Sequence, residues 1–196
     1  MEALFGKKKR APGGYLVLYT TRHGATQRYA ERIAQPLDAL VKEAAYAKID
    51  AAKTYDAIVL GCCVYAGKIK GLGFFADHAQ ELADKRLVLF TCGLYDPQEK
   101  EIREALDAQI REALGDMAER VAVFHLRGSL RWQSLGLVER VMMKALLSEI
   151  RKKPEAERTQ TEALLLESEG GALDFADEMD LAPIVHAARF GREAEY

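Results

Sequence analysis

Two apolar patterns alternate along the chain. Short continuous apolar runs occur at 15–20 (YLVLYT), 56–62 (DAIVLGC), 86–92 (RLVLFTC) and 120–126 (RVAVFHL). A run of this length, rich in β-branched residues, reads as a strand buried on both faces. Between these runs the apolar residues fall three and four apart. In 25–41, Tyr29, Ile33, Leu37 and Leu40 share one helical face. Residues 72–83 and 98–114 also read as helices, and a weaker strand falls near 44–49. Strands alternating with helices predict an α/β fold, a parallel sheet covered on both faces by right-handed crossovers.

After the fifth strand, at 120–126, the pattern changes. Residues 134–152 form a long helical stretch, 153–172 are polar with few structure signals, and 181–190 (LAPIVHAARF) read as a closing helix. The expected organisation is a tail at 1–14, set apart by Pro12, Gly13 and Gly14, and then a single domain at 15–196. That domain carries an insertion at about 128–178 between its last strand and last helix.

Composition narrows the class. The 196 residues are 49% hydrophobic and 30% charged, with a net charge of -2. This excludes collagen-like, disordered and disulfide-dense chains and argues against a dedicated nucleic-acid binder. No apolar run is long enough to span a bilayer. Three cysteines, two of them vicinal, are not a disulfide framework, so a cytoplasmic setting is expected.

In a doubly wound sheet, ligands bind where loops leave the carboxyl ends of the strands. The first such loop, T-T-R-H-G-A-T, spans Thr20 to Thr26. Its small residues and Gly24 precede a helix N-terminus, whose free amides and dipole favour an anion. Thr21 and Thr26 can add hydroxyls, and Arg22 and His23 can add positive charge; the alternative is a tight turn with Thr26 as N-cap. It is neither G-K-[ST] nor G-x-G-x-x-G. The second loop, G-C-C-V-Y-A-G-K from Gly61 to Lys68, offers Tyr65 as a flat surface beside Ala66 and Gly67. The third, T-C-G-L-Y-D-P from Thr91 to Pro97, carries Gly93 and a second ring, Tyr95. An anion cradle beside two aromatic-bearing loops suits a phosphate joined to a flat heterocycle.

These loops resemble those of the flavodoxin-like FMN-binding family. Thr21, Arg22, His23, Gly24, Ala25 and Thr26 look like its phosphate loop. The resemblance implies that Cys63, Val64, Tyr65, Ala66 and Gly67 line the isoalloxazine with Tyr65 stacked on it. It implies further contacts from Thr91, Cys92, Gly93, Leu94 and Tyr95, and five parallel strands in the order 2-1-3-4-5. The Ala66–Gly67 peptide would lie next to the flavin N5.

Within this likeness, Gly128 to Leu147 (GSLRWQSLGLVERVMMKALL) is similar to an insertion of the flavodoxin-like protoporphyrinogen dehydrogenases, with its G-x-L-R and E/D-R-x-M patterns. Those FMN enzymes serve porphyrin biosynthesis and pass electrons to a quinone. The implied function is an FMN-dependent oxidoreductase exchanging electrons with a protein, quinone or porphyrinogen partner. The alternatives are a soluble flavodoxin-type electron carrier and a flavin-free interaction domain. Read by itself, 130–153 is a basic amphipathic stretch preceded by Trp132, the only tryptophan. Packing of its stripe into the core over the sheet edge, or into a dimer, is expected first, and contact with an anionic membrane surface or cover of a ligand pocket is the alternative. Cys62, Cys63 and Cys92 read as small buried residues beside the ring rather than as metal ligands. Asp96 reads as the cap of the helix begun by Pro97, and His78, His125 and His186 as structural.

Overall fold

The computed structural model describes residues 14–176 and 179–191. Of the expected tail at 1–14, all but Gly14 lies outside the described residues. The elements run β1 (Tyr15–Tyr19), α1 (Ala25–Leu37), β2 (Leu40–Glu43), α2 (Ile49–Ala52), β3 (Ala57–Tyr65), β4 (Lys68–Lys70), α3 (Gly73–Asp77), β5 (Arg86–Gly93), α4 (Lys100–Leu114), β6 (Val121–Arg127), β7 (Ser129–Arg131), α5 (Leu137–Lys152), α6 (Gln160–Glu167), β8 (Ala172–Asp174) and α7 (Ala182–Phe190).

Five parallel strands are ordered β2-β1-β3-β5-β6, which is the expected 2-1-3-4-5 once the small antiparallel β4 is set aside. The central strands are apolar throughout because helices cover both faces. Val17, Val59, Val88 and Phe90 pack under α1 and α7, whereas Leu18, Ile58, Leu60 and Leu89 pack on the α3–α4 side. At about 25 cal/mol per Å2, burying each such side chain contributes roughly 1.5–3 kcal/mol.

Three stretches differ from the sequence reading. Helix α1 ends at Leu37, because Asp38 turns left-handed (φ 47°) and its amide closes on the Ala34 and Gln35 carbonyls. Leu40 is therefore not on the helical face. It opens β2, in register with Leu16, and is 47% exposed. The strand expected at 44–49 is instead a turn followed by α2. As an edge strand β2 alternates in burial and lacks a continuous apolar run. In 72–83 only Gly73–Asp77 is helical, and the rest follows turns that bury Leu82.

The insertion has its own core. Strands β7 and β8 form an antiparallel ribbon in which Ser129 opposes Asp174. Above it Leu130, Trp132, Leu135, Leu147, Ile150 and Leu165 pack together. The segment expected to be poor in structure contains α6. A capping box starts this helix: the Glu162 amide donates to Thr159 Oγ1 (3.2 Å) and the Thr159 amide to the Glu162 carboxylate (3.0 Å). The insertion is tied to the sheet by Arg28, whose two terminal nitrogens each donate to Asp174 at 2.8 Å, and by the Gly128 amide donating to the Gly93 carbonyl at 2.7 Å.

The stripe of α5 packs only at its C-terminal end. Leu147 and Ile150 are buried, but Leu137, Val138 and Val141 are 83%, 73% and 69% exposed. The expectation of a fully packed stripe is corrected accordingly.

Candidate functional site

All three singled-out turns emerge at the carboxyl edge of β1, β3 and β5. In the first, Thr21 Oγ1 accepts the Gly24 amide at 3.0 Å. Gly24 has φ +87°, a left-handed conformation that frees the α1 amides behind it. Those first-turn amides lack intrahelical acceptors and face the positive end of the helix dipole. A side chain added at Gly24 would meet nothing within 4 Å, so the space before the turn is open. Beside it lies a cleft of about 260 Å3 lined by residues including His23, Arg28, Ser129 and Arg131. Thr26 is buried, and its hydroxyl hydrogen-bonds the Cys92 thiol. It therefore offers the turn its backbone rather than its hydroxyl, and the N-cap of α1 is Gly24 rather than Thr26.

The second turn is the tip of the β3–β4 hairpin. Ala66 (φ 49°) and Gly67 (φ 73°) are its two central residues, the mirror-image turn that fits the twist of a two-residue hairpin. Gln109 on α4 pins it from behind. Its Nε2 donates to the Gly67 carbonyl at 2.9 Å, and its Oε1 accepts the Ile69 amide at 3.1 Å. Nothing in the sequence singled out Gln109.

The face of Tyr65 is covered by this chain's own residues. The Arg22 guanidinium lies 4.0 Å above the ring centroid, a cation–π contact. Arg22 Nε donates to Glu139 Oε1 at 2.5 Å, and His23 Nε2 stands 3.4 Å from the same oxygen. Glu139 also accepts the Gly136 amide at 3.0 Å. Tyr65 Oη lies 3.8 Å from Met142 Sδ. Arg140 fastens the preceding turn by donating to the Leu135 and Gln133 carbonyls. Of the E-R-x-M residues, Glu139 and Met142 thus seat α5 on the first two turns, and Arg140 holds the turn that leads into the helix.

The Arg22 hydrogen bond, and after it the Gly136 amide, hold the Glu139 carboxyl below its ordinary value of 4.5. A carboxyl depressed by folding contributes stability that is present above its unfolded value and lost as pH falls through the folded one. Acidification below about pH 4.5 is expected to release α5 from the first turn. The Arg22 Nε–H resonance, followed by NMR, should move toward its free position over that range in the wild type and show no such step in Glu139→Gln.

The third turn differs from expectation. Tyr95 is buried, its hydroxyl bonds to Thr91, and its ring meets His125 edge-on at 6.5 Å. It offers no face to a ligand. Thr91 and Cys92 also point inward, and Leu94 packs against the core of the insertion. Gly93 is hemmed in by Tyr95 and Val64, so that a Cβ there would sit 2.6 Å from the Tyr95 ring. Asp96 accepts the Gln98 amide at 2.9 Å and stabilises a turn, since α4 starts only at Lys100.

Burial raises all three thiols, Cys92 to about 12. Each therefore remains a neutral thiol near neutrality. Among the described residues, no group of three or more His, Cys, Asp or Glu side chains could hold a metal ion. No described helix is long and apolar enough to cross a membrane.

A model of the flavodoxin domain family matches residues 16–157, from β1 into the insertion. The chain belongs to this flavodoxin family. No curated protein matches it. Among solved structures, two-electron reduced flavodoxin from Megasphaera elsdenii is 20% identical. It covers 58% of this chain and 85% of its own, with a TM-score of 0.43. A flavoprotein from Lactobacillus acidophilus in complex with FMN is 18% identical, with 59% of this chain and 93% of its own covered and a TM-score of 0.38.

Proposed function

We propose that this flavodoxin-domain chain binds one FMN without a covalent link and works as an FMN-dependent oxidoreductase. The observation that carries the reading is the pairing of an open, left-handed Gly24 turn at the start of α1 with the Tyr65–Ala66–Gly67 hairpin on the neighbouring strand. FMN is the cofactor that family membership indicates, and the residues fit it. The α1 amides and the Thr21 hydroxyl would receive the phosphate, with His23 and Arg22 supplying charge. Tyr65 would shield one face of the ring once Arg22 moves aside. The Ala66–Gly67 peptide would border the ring edge, held in place through Gln109. Thr91, Cys92 and Tyr95 would act from beneath the third turn, leaving Gly93 and Leu94 as its contacts.

When bound, FMN supplies reversible electron and hydride transfer at its ring. The protein's part is to bind, orient and exclude water, and α5, which reaches the Tyr65 hydroxyl through Met142, would do the last.

We read the electron acceptor as apolar, with protoporphyrinogen IX as donor and a quinone as acceptor. Support comes from the exposed Leu137, Val138 and Val141 on the helix that touches Tyr65 through Met142. Arg140 and Lys144 share that helix, so this face suits an anionic lipid surface. A soluble carrier steering to protein partners is the second reading, but a net charge of -2 gives little long-range steering.

Titration of the apoprotein with FMN tests the first claim. One equivalent should bind with micromolar or better affinity and quench flavin fluorescence, and absence of binding there rejects it. With FMN bound, anaerobic bleaching by protoporphyrinogen IX and reoxidation by a quinone test the second. Bleaching only by a reductase protein would favour the carrier. Sedimentation with anionic vesicles, lost in Leu137→Asp, tests the lipid contact.

A further inference from the structure

The side chains that would charge the phosphate turn are already engaged by a carboxylate from the insertion. Glu139 lies in the first turn of α5. Its Oε2 accepts the Gly136 amide at 3.0 Å. Its Oε1 reaches the turn after β1, where it accepts from Arg22 Nε at 2.5 Å and stands 3.4 Å from His23 Nε2. One anionic oxygen therefore sits where Arg22 and His23 converge. The Glu139 side chain is 11% exposed and that of Arg22 51% exposed, so the pair has a sheltered acceptor and an outer donor.

Arg22 makes a second contact at the same time. Its guanidinium carbon lies 4.0 Å above the centroid of the Tyr65 ring, the surface on which a flavin would stack. A guanidinium has donors enough for two anions, but it cannot stay over Tyr65 while a flavin takes the same face. Entry of the flavin therefore separates Arg22 from Glu139. Little else has to move. Glu139 keeps the Gly136 amide, α5 stays anchored by the buried Leu147 and Ile150, and Met142 Sδ stays beside the Tyr65 hydroxyl at 3.8 Å. The moving part is one side chain, and the helix remains as cover.

We propose that Glu139 is a positioning residue acting through Arg22, an internal carboxylate that competes with the cofactor for this guanidinium and keeps the Tyr65 face covered until FMN displaces it. The proposal rests on the FMN reading. It gives the insertion a part in the site itself, since the residue that sets how readily flavin enters lies on α5 and not on the sheet. The effect is graded, because one ion pair with a partly exposed arginine is exchanged for another.

The test is a double-mutant cycle on flavin affinity, with wild type, Glu139→Gln, Arg22→Ala and the double variant each titrated with FMN and with riboflavin. Glutamine retains an acceptor for the Gly136 amide, and circular dichroism confirms that each variant is folded. Glu139→Gln should tighten FMN about fivefold and riboflavin in the same direction, and both gains should vanish when Arg22 is alanine. In the wild type, a nuclear Overhauser contact between the Arg22 side chain and the Tyr65 ring should be present without flavin and lost on FMN loading. Unchanged or weaker FMN binding in Glu139→Gln overturns the proposal. So does a gain confined to FMN or surviving in Arg22→Ala, which would be plain charge repulsion, and so does an Overhauser contact that persists in the loaded protein. FMN binding by Glu139→Gln alone would support the proposal in its strongest form. Failure of all four proteins to bind FMN overturns the cofactor reading, and this inference with it.

Discussion

Gly61→Val is expected to lower stability by about 3 kcal/mol, at the upper end of the usual cost of overpacking a core. A Cβ at this position would lie 2.3 Å from Phe90 Cζ and 2.8 and 2.9 Å from the two flanking ring carbons. The ring has nowhere to go. Phe90 is fully buried and meets Tyr29 edge-on at 6.2 Å, while Gly61 itself is paired to Tyr19 on one side and Phe90 on the other. The backbone would have to separate at the middle of β3, which carries the Tyr65 hairpin at its end. Urea unfolding checks this, and a loss below about 1 kcal/mol would show that the ring can be accommodated elsewhere.

Leu147→Ala should cost about 2–5 kcal/mol, the range for truncating a fully buried leucine, and the loss should fall unevenly on the molecule. Leu147 is completely buried among Trp132, Ile150 and Leu165, in a cluster distinct from the two that flank the sheet. The cavity therefore weakens the insertion directly and the sheet only through its ties. Trp132, the only tryptophan and 7% exposed, reports on that cluster alone. Its emission should shift red at lower urea in the variant, while far-ultraviolet circular dichroism keeps a later transition. Coincident loss of both signals would show that insertion and sheet unfold as one unit.

The parallel sheet was legible because central strands buried on both faces write themselves as unbroken apolar runs. Where burial is one-sided or local the signal faded, as at β2, whose alternation hid it behind the end of α1. The short α6 was signalled by Thr159 and Glu162, a capping pair inside a segment too polar to draw notice. At the site, the backbone features were readable: Gly24 before a helix and Ala66–Gly67 after a strand. Side-chain direction was not. Tyr95 turned inward because Thr91 offers its hydroxyl a partner and His125 offers its ring an edge-on contact, and Arg22 came to lie on Tyr65 because Glu139, 117 residues away, holds it there. Contacts of that separation are made by the tertiary fold and leave no local pattern. The same holds for Gln109, whose amide fits the Gly67 hairpin only after α4 has docked.

Because Ser129 and Asp174 face each other across the ribbon, the chain leaves the sheet and returns to it at almost one point. Excising 130–173 and splicing the ends with a short turn would keep the route from β6 to α7, and would yield a minimal scaffold with Tyr65 uncapped. Conversely, the ribbon is a natural graft point at which one helical cap could be exchanged for another without redesigning the sheet.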